Sequence, residues 1–459
     1  MEEEDMEAEA EEEEEDMGVV EEEEEQEDVW SRLPDEVVER VWKRLTAYDC
    51  IRVGCTCKRF RSILLLHHSS SDPCRPNLLL LPLPSEESES EEESEEEEED
   101  EPELRRCLSY ACSCSCSYEP SLGKWIPLPL SFLTSHLSPS SFPVASAGGL
   151  LCLTSGSSSS SSGSRGSGPG TTHSLTFVLC NPLTKSCRVL PPHIPSDVCH
   201  NLAIDVGEQN IPTDFNDEDS VHAFGLITFD HEHDNPHPRG YEFYAINYTS
   251  RNGTCLAMAY TSKLCRWQGL SVLTMEQPYC TLSSMNIVVM GRNTGIDHHN
   301  AISLYSLWKK RSEFVIYHLA QGTWTEIESP ECESSLVSAH LIDCYGVLHM
   351  VAGVGIVWLP SNVIESPTSV RIWRLNMPSK SWSEVTRMPA AVLHEFRRNI
   401  DFESLQCLGK DGVIYLTSLL KEVLMYDMET GDWKWFEADF FDEDKGFVGF
   451  ILEPSLTSP

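Results

Sequence analysis

Hydrophobic spacing divides the chain into a short helical part and a long strand-rich part. Between Trp30 and Leu45 the apolar residues Val37, Val38, Val41, Trp42 and Leu45 fall at i, i+1, i+4, i+5 and i+8, one stripe of an amphipathic helix. That helix is expected to start at Pro34, with Asp35 and Glu36 in its first turn, where the helix dipole favours negative charge. Asp49 is placed to cap a second helix that turns Cys50, Val53, Cys57 and Phe60 inward, with Ile63 and Leu64 beyond. Two or three short helices over about 40 residues cannot bury a large core alone. The module therefore calls for a partner. Beyond residue 109 the texture changes to short runs of Val, Leu, Ile, Tyr and Phe separated by Gly, Pro, Asn and Ser, the pattern of strands and turns.

Within that part a repeat emerges. Four segments share a small polar or His residue, five intervening residues and an anchor: Asn181 to Cys187, His318 to Trp324, Asn376 to Trp382 and Asp427 to Trp433. Two more, Tyr118 to Trp125 and Tyr260 to Trp267, carry one additional residue. The anchors are 62, 80, 57, 58 and 51 residues apart, approaching at the lower end the kelch period of about 50. Six such hairpins predict a β-propeller of six kelch-like blades; a β-sandwich accounts for hairpins but not for six recurrences of one turn-plus-anchor. Trp125, Trp267, Trp324, Trp382 and Trp433 are expected to take equivalent places between adjacent blades. Three Gly-led runs, starting at Gly149, Gly346 and Gly412, read as inner strands of successive blades. The expected fold is thus multidomain: a small all-α module, then an all-β propeller.

Charge adds two tracts to this picture. The 459 residues carry a net −41, but residues 2–28 hold 19 acidic side chains and 86–103 hold 14, with no Lys or Arg in either. Without them the balance is 41 acidic against 33 basic residues, a net of −8. Residues 1–28 are expected to be a disordered acidic arm, 69–109 an acidic flexible linker and 110–455 the propeller, with a disordered Ser/Gly insertion at about 155–170. Nothing here supplies the basic footprint of nucleic-acid binding. The start MEEEDMEAEA lacks the pattern of a secretory signal, and the richest apolar run, Asn77–Pro84, is far below the ~20 residues of a membrane-spanning helix. The 18 cysteines show no disulfide spacing and read as reduced thiols of a nuclear or cytoplasmic protein.

The order Leu33-Pro34, Val37-Val38, Val41, Leu45, Asp49 and Cys57-Lys58-Arg59-Phe60 resembles an F-box over residues 29–68. It departs at Cys50, where Leu is usual, at Gly54 within the second helix and at Phe60, where Trp is commoner. With Trp30–Pro34, Tyr118–Trp125 and Asn181–Ser186, most of the chain resembles the plant F-box/kelch-repeat proteins. That resemblance implies a non-catalytic substrate receptor of an SCF-type (Skp1–cullin–F-box) ubiquitin ligase. The F-box would hold the Skp1 adaptor, and through it cullin and RING subunits; the propeller would hold a protein target. The implied adaptor-binding residues are Leu33, Pro34, Val37, Val38, Val41, Leu45, Val53, Cys57 and Phe60. A scaffold outside any ligase, for example a transcriptional cofactor with acidic arms, is the alternative. Residues 29–68 carry a local +4 between the two acidic tracts, and Skp1 adaptors are acidic by the same resemblance. Deleting 2–28 is therefore expected to strengthen adaptor binding modestly, and less at high salt; equal affinity at low salt would leave the tract a solubilising role only.

Other constellations carry less. Residues 230–238 gather three His and three acids, but two prolines mark an exposed loop rather than a metal site; His298-His299 reads the same way. Cys112, Cys114 and Cys116 alternate onto one strand face and pack as small hydrophobes. Cys55 and Cys57 belong to the helical module. No catalytic set, cofactor fingerprint or metal spacing is present in the sequence, so no catalytic residue, cofactor or metal is expected.

Overall fold

The structure is a computed structural model. It describes residues 33–42, 45, 47–54, 56, 60, 77–82 and 115–459, the last without 121–122, 138–140, 156–175, 192–219, 230–239, 250–253, 275–284, 291–300, 308–311, 319–321, 333–334, 356, 359–362, 365–366, 401–403, 419–421, 439–446 and 456–458. Both acidic tracts, Cys57, Cys112, Cys114, the 230–238 loop, His298-His299 and the Ser/Gly run after Ser155 lie outside the described residues. The chain forms two compact units, residues 1–46 and 47–459. In the first, helix α1 spans Asp35–Trp42; in the second, helix α2 spans Ala47–Gly54. Asp49 therefore sits in the first turn of α2 and does not cap it, because the helix opens two residues earlier; its carboxylate still lies at the favourable end of the dipole.

The rest of the second unit is a β-propeller, built among the described residues from six four-stranded antiparallel sheets and one two-stranded ribbon. Strands β1 (Asn77–Pro82), β2 (Cys116–Glu119) and β3 (Lys124–Pro127) share a sheet with the C-terminal β26 (Phe447–Leu452). The next sheet holds β4 (Pro143–Ala147), β5 (Leu150–Ser155), β6 (Thr176–Asn181) and β7 (Ser186–Val189). It is followed by β8 (Ser220–Phe229), β9 (Gly240–Thr249), β10 (Thr254–Thr261) and β11 (Arg266–Thr274). Then come β12 (Met285–Met290), β13 (Ala301–Leu307), β14 (Ser312–His318) and β15 (Thr323–Glu328). The fifth sheet is β16 (Ser335–Cys344), β17 (Val347–Gly355), β20 (Ser369–Asn376) and β21 (Ser381–Arg387), with the ribbon β18 (Val357–Trp358) and β19 (Val363–Ile364) between its middle strands in sequence. The sixth is β22 (Gln406–Lys410), β23 (Val413–Thr417), β24 (Glu422–Asp427) and β25 (Trp433–Glu437).

The innermost strands β4, β8, β12, β16, β22 and β26 neighbour one another in that order, and β26 returns to β4. The ring closes through the first and last parts of the propeller. β26 pairs with β1 from Asn77↔Leu452 to Pro82↔Phe447, so the sheet contains both ends of the domain. This corrects the 69–109 linker: β1 lies inside that range, and Leu78, Leu79, Leu80 and Leu81 are buried to 4% exposure or less. Leu79 and Leu81 enter the core shared with the β4–β7 sheet, and Leu78 and Leu80 the core shared with the β22–β25 sheet. A strand buried on both faces loses the apolar–polar alternation that marks a half-buried one. Three further apolar clusters lie between neighbouring sheets.

The Gly-led runs are β5, β17 and β23, each the second strand from the inside of its sheet. The glycines belong to the turns from the innermost strand: Gly148-Gly149, Tyr345-Gly346 and Asp411-Gly412 all have two positive φ angles, the type I′ geometry that matches strand twist. At Gly149 a Cβ would approach Ser455 Cβ at 2.8 Å and the Glu453 carbonyl oxygen at 2.9 Å, so the turn also seats the C-terminal segment.

The repeated hairpin has one register throughout. Trp125, Cys187, Trp267, Trp324, Trp382 and Trp433 pair with Tyr118, Cys180, Tyr260, Tyr317, Leu375 and Tyr426, each seven positions earlier. The apparent extra residue in two segments is thus no insertion. Two positions before every anchor stands a left-handed residue: Gly123, Lys185, Cys265, Gly322, Lys380 or Gly431. The Asn and Asp that open two repeats close their turns, since Asn181 Oδ1 accepts the N–H groups of Leu183 and Thr184 and Asp427 Oδ1 those of Glu429 and Thr430. Four anchors also reach the preceding sheet: the indole N–H donates from Trp125 to Glu437 O, from Trp267 to Pro191 O, from Trp324 to Ser271 Oγ and from Trp382 to Glu328 O. Trp433 instead packs against Tyr426 of its own sheet, ring centroids 4.5 Å apart.

Among the described residues one α-helix interrupts the β pattern. Helix α3 (Ala390–Asn399) follows Pro389 and buries Leu393 and Phe396 against the β16–β21 and β22–β25 sheets. Arg397 fastens it by donating to the Pro367 carbonyl.

Candidate functional site

Helix α1 starts where the chain leaves Pro34, whose carbonyl accepts the N–H of Val37 at 3.0 Å and of Val38 at 3.2 Å. Successive helical residues are about 100° apart, so Val37 and Val38 cannot face the same way. Val38 is 3% exposed, whereas Val37 is 41% and Val41 44% exposed. Val37 and Val41 are i and i+4 neighbours on one face, and the exposed Pro34 precedes them by one turn. Leu33 and Leu45 are half-buried. In the second unit, Phe60 and Gly54 are buried and Val53 is half-buried. The Thr56 hydroxyl and N–H both donate to the Val53 carbonyl, 2.6 and 2.9 Å away, closing the end of α2. The helical residues singled out in the sequence thus fall into two sets. Pro34, Val37 and Val41 offer a small apolar surface, while Val38 in the first unit and Phe60 in the second are each buried.

Chemistry in the propeller is sparse. Among the described residues no group of three or more His, Cys, Asp or Glu is placed to hold a metal ion. No described helix is long and apolar enough to cross a membrane. One charge cluster among the described residues lies where the innermost strands turn outward. Lys410 Nζ on β22 pairs with Glu453 Oε1 at 2.7 Å, and Glu453 Oε2 accepts the Gly148 N–H at 2.8 Å. This cluster bolts the C-terminal segment to two sheets. Sequence reading had not singled it out, since its members are about 40 to 300 residues apart and share no motif.

Asp343, on the neighbouring β16, has a buried Oδ1 without a hydrogen-bond partner. Burial pushes its pKa up to about 6, with the Lys410 charge opposing. The folded carboxyl therefore holds its proton at a higher pH than the unfolded one. The ionised form costs stability fully above pH 6, and this cost fades as pH falls through 6 toward the unfolded value of 3.8. Asp343→Asn is expected to stabilise the protein by about 1 kcal/mol at pH 7.5 and to make no difference at pH 4. Thermal melts of the two proteins at both pH values check this.

Residues 30–69 match the family model described as F-box-like, and the chain thus carries an F-box-like domain. Along most of its length it is similar to protein UNUSUAL FLORAL ORGANS of Arabidopsis thaliana, with 22% identity over 447 residues, 94% of this chain and 86% of that protein. Among solved structures, an α-L-arabinofuranosidase of Fusarium graminearum shares 10% identity, covers 65% of this chain and 80% of its own, and gives a TM-score of 0.36. A protein from Lactobacillus plantarum shares 6% identity over 81% of this chain and 99% of its own, with a TM-score of 0.35. Neither structure bears on what this chain does.

Proposed function

We propose that the chain is the substrate-recognition subunit of an SCF-type ubiquitin ligase, acting in the nucleus or cytoplasm. The α1 face of Pro34, Val37 and Val41, with Leu33 at its edge, docks a Skp1-like adaptor, which brings cullin and RING subunits. The propeller, with its sheets as kelch-like blades, holds the protein to be ubiquitinated and performs no chemistry itself. The observation that carries this reading is the coincidence of the F-box-like match with the exposed apolar face of α1. Apolar side chains left in water on so small a helical module mark a partner surface.

Two double variants test it. Leu33→Ala with Pro34→Ala, and separately Val37→Lys with Val41→Lys, are expected to lose capture of a recombinant Skp1 adaptor while the propeller's melting temperature stays put. Exposed positions usually change stability by no more than about 0.5 kcal/mol, so lost capture is then a lost interface. Capture at the unmodified level by both variants overturns the assignment. Disabling the helix face in this way also leaves the target bound but unmodified, so affinity purification of the variant is the direct route to the target.

A further inference from the structure

The sheet of β26, β1, β2 and β3 that closes the ring carries polar side chains inside an apolar seam. Asn77 opens β1 and Ser117 lies on β2, and both are completely buried. The register places them on one face. Ser117 is directly opposite Leu79, and Asn77 stands two residues before Leu79 on the same strand. That face packs on the β4–β7 sheet, because Leu79 and Leu81 share a core with Leu151 and Leu153 of β5 and with Val178 and Cys180 of β6. Among the described residues, neither Nδ2 nor Oδ1 of Asn77, nor Oγ of Ser117, has a hydrogen-bond partner. Ser115, two residues earlier on β2, shows the contrast: its hydroxyl donates to the Leu128 carbonyl at 2.6 Å. Diagonal neighbours on paired strands lie about 7 Å apart. That is too far for a direct bond between short side chains, but one bridging molecule can span it, since two hydrogen bonds of about 2.8 Å reach ~5.6 Å.

The chemistry of the three atoms narrows the ligand. A cation suits Oδ1 and the hydroxyl oxygen but repels the N–H bonds of Nδ2, and an anion meets those N–H bonds but faces Oδ1. Water donates two hydrogen bonds and accepts two, so it alone answers all three atoms. We propose that Asn77 and Ser117 form a buried water-binding site in the seam between the closing sheet and the β4–β7 sheet, and that this site sets the register of β1. Leu78 through Leu81 are four identical side chains, so a slip of β1 by two residues still turns a leucine toward each core. Such a slip moves Asn77 from opposite Leu452 to opposite Phe450, among the leucines, or carries it out of the sheet. Either way the amide leaves Ser117 and the shared water. A polar residue that is solvated at one position only selects that position, as a buried asparagine does in a coiled coil.

The full chain carrying Asn77→Ala, Ser117→Ala or both is unfolded in urea. Each single variant is expected to raise the unfolding constant about tenfold, and the double variant also about tenfold, because either change releases the same water. A rise of roughly a hundredfold in the double variant, the product of independent effects, overturns the shared site. A crystal structure of the unmodified chain needs no variant: a solvent molecule within about 3.2 Å of both side chains is expected, and a dry seam overturns the site. Sodium or calcium chloride should leave the melting temperature where choline chloride of equal ionic strength leaves it; a rise specific to either metal makes the occupant a cation and overturns water. Asn77→Leu lengthens the run to five leucines and tests the register. Hydrogen exchange followed by mass spectrometry is expected to show two deuterium populations for the peptide containing β1 in this variant, and one in the unmodified chain. A single population in both overturns the role in register.

Discussion

A fragment starting at residue 110 is expected to fail to fold cooperatively, whereas one starting at residue 70 gives a single thermal transition. The shorter fragment has the boundary that composition suggests, but it lacks β1. Its loss leaves β26 without the one strand it pairs with among the described residues and exposes the edge of β2. It also removes Leu78 through Leu81, which fill the cores on both sides of the closing sheet. Truncating one buried Leu typically costs about 2–5 kcal/mol, and whole-domain stability is about 5–15 kcal/mol. Loss of four such side chains and two ladders exceeds what the remainder can supply. Calorimetry or circular dichroism on the two fragments decides it; a cooperative melt from residues 110–459 would show that the ring closes without β1.

Trp267→Ala is expected to destabilise the protein by about 3–5 kcal/mol, the largest effect of any single anchor. Its indole is 5% exposed and lies 5.8 Å from the Phe177 ring, 5.9 Å from Phe243 and 5.7 Å from Tyr260, centroid to centroid. Phe177 belongs to the preceding sheet, so the indole fills the gap between two sheets and its N–H satisfies the Pro191 carbonyl. Trp382 makes the equivalent hydrogen bond, to Glu328, but is only half-buried. Trp382→Ala should therefore cost less than half as much. Urea unfolding of both variants measures the difference, and equal losses would mean that the indole hydrogen bond, not the packing, governs these positions.

The local structure of this protein was written in its local sequence. Pro34 with Asp35 and Glu36 sets the start of α1 because capping and dipole effects act within one turn. The six hairpins could be seen because each closes within eight residues, using its own left-handed residue and its own anchor.

What tertiary structure decided are the matters in which distant segments meet. The Asn77–Pro82 run reads as part of a linker until Phe447–Leu452, some 370 residues later, supplies its partner. Its leucines lack alternation because neighbouring sheets cover both faces, and no local pattern encodes that. Likewise Val37 and Val38 look alike in sequence, but a 100° step along a helix sends one to water and the other to the interior. The hydrophobic effect rewards burial without specifying the partner. Sequence periodicity therefore fixes which side chains seek cover, and only the assembled chain fixes what covers them.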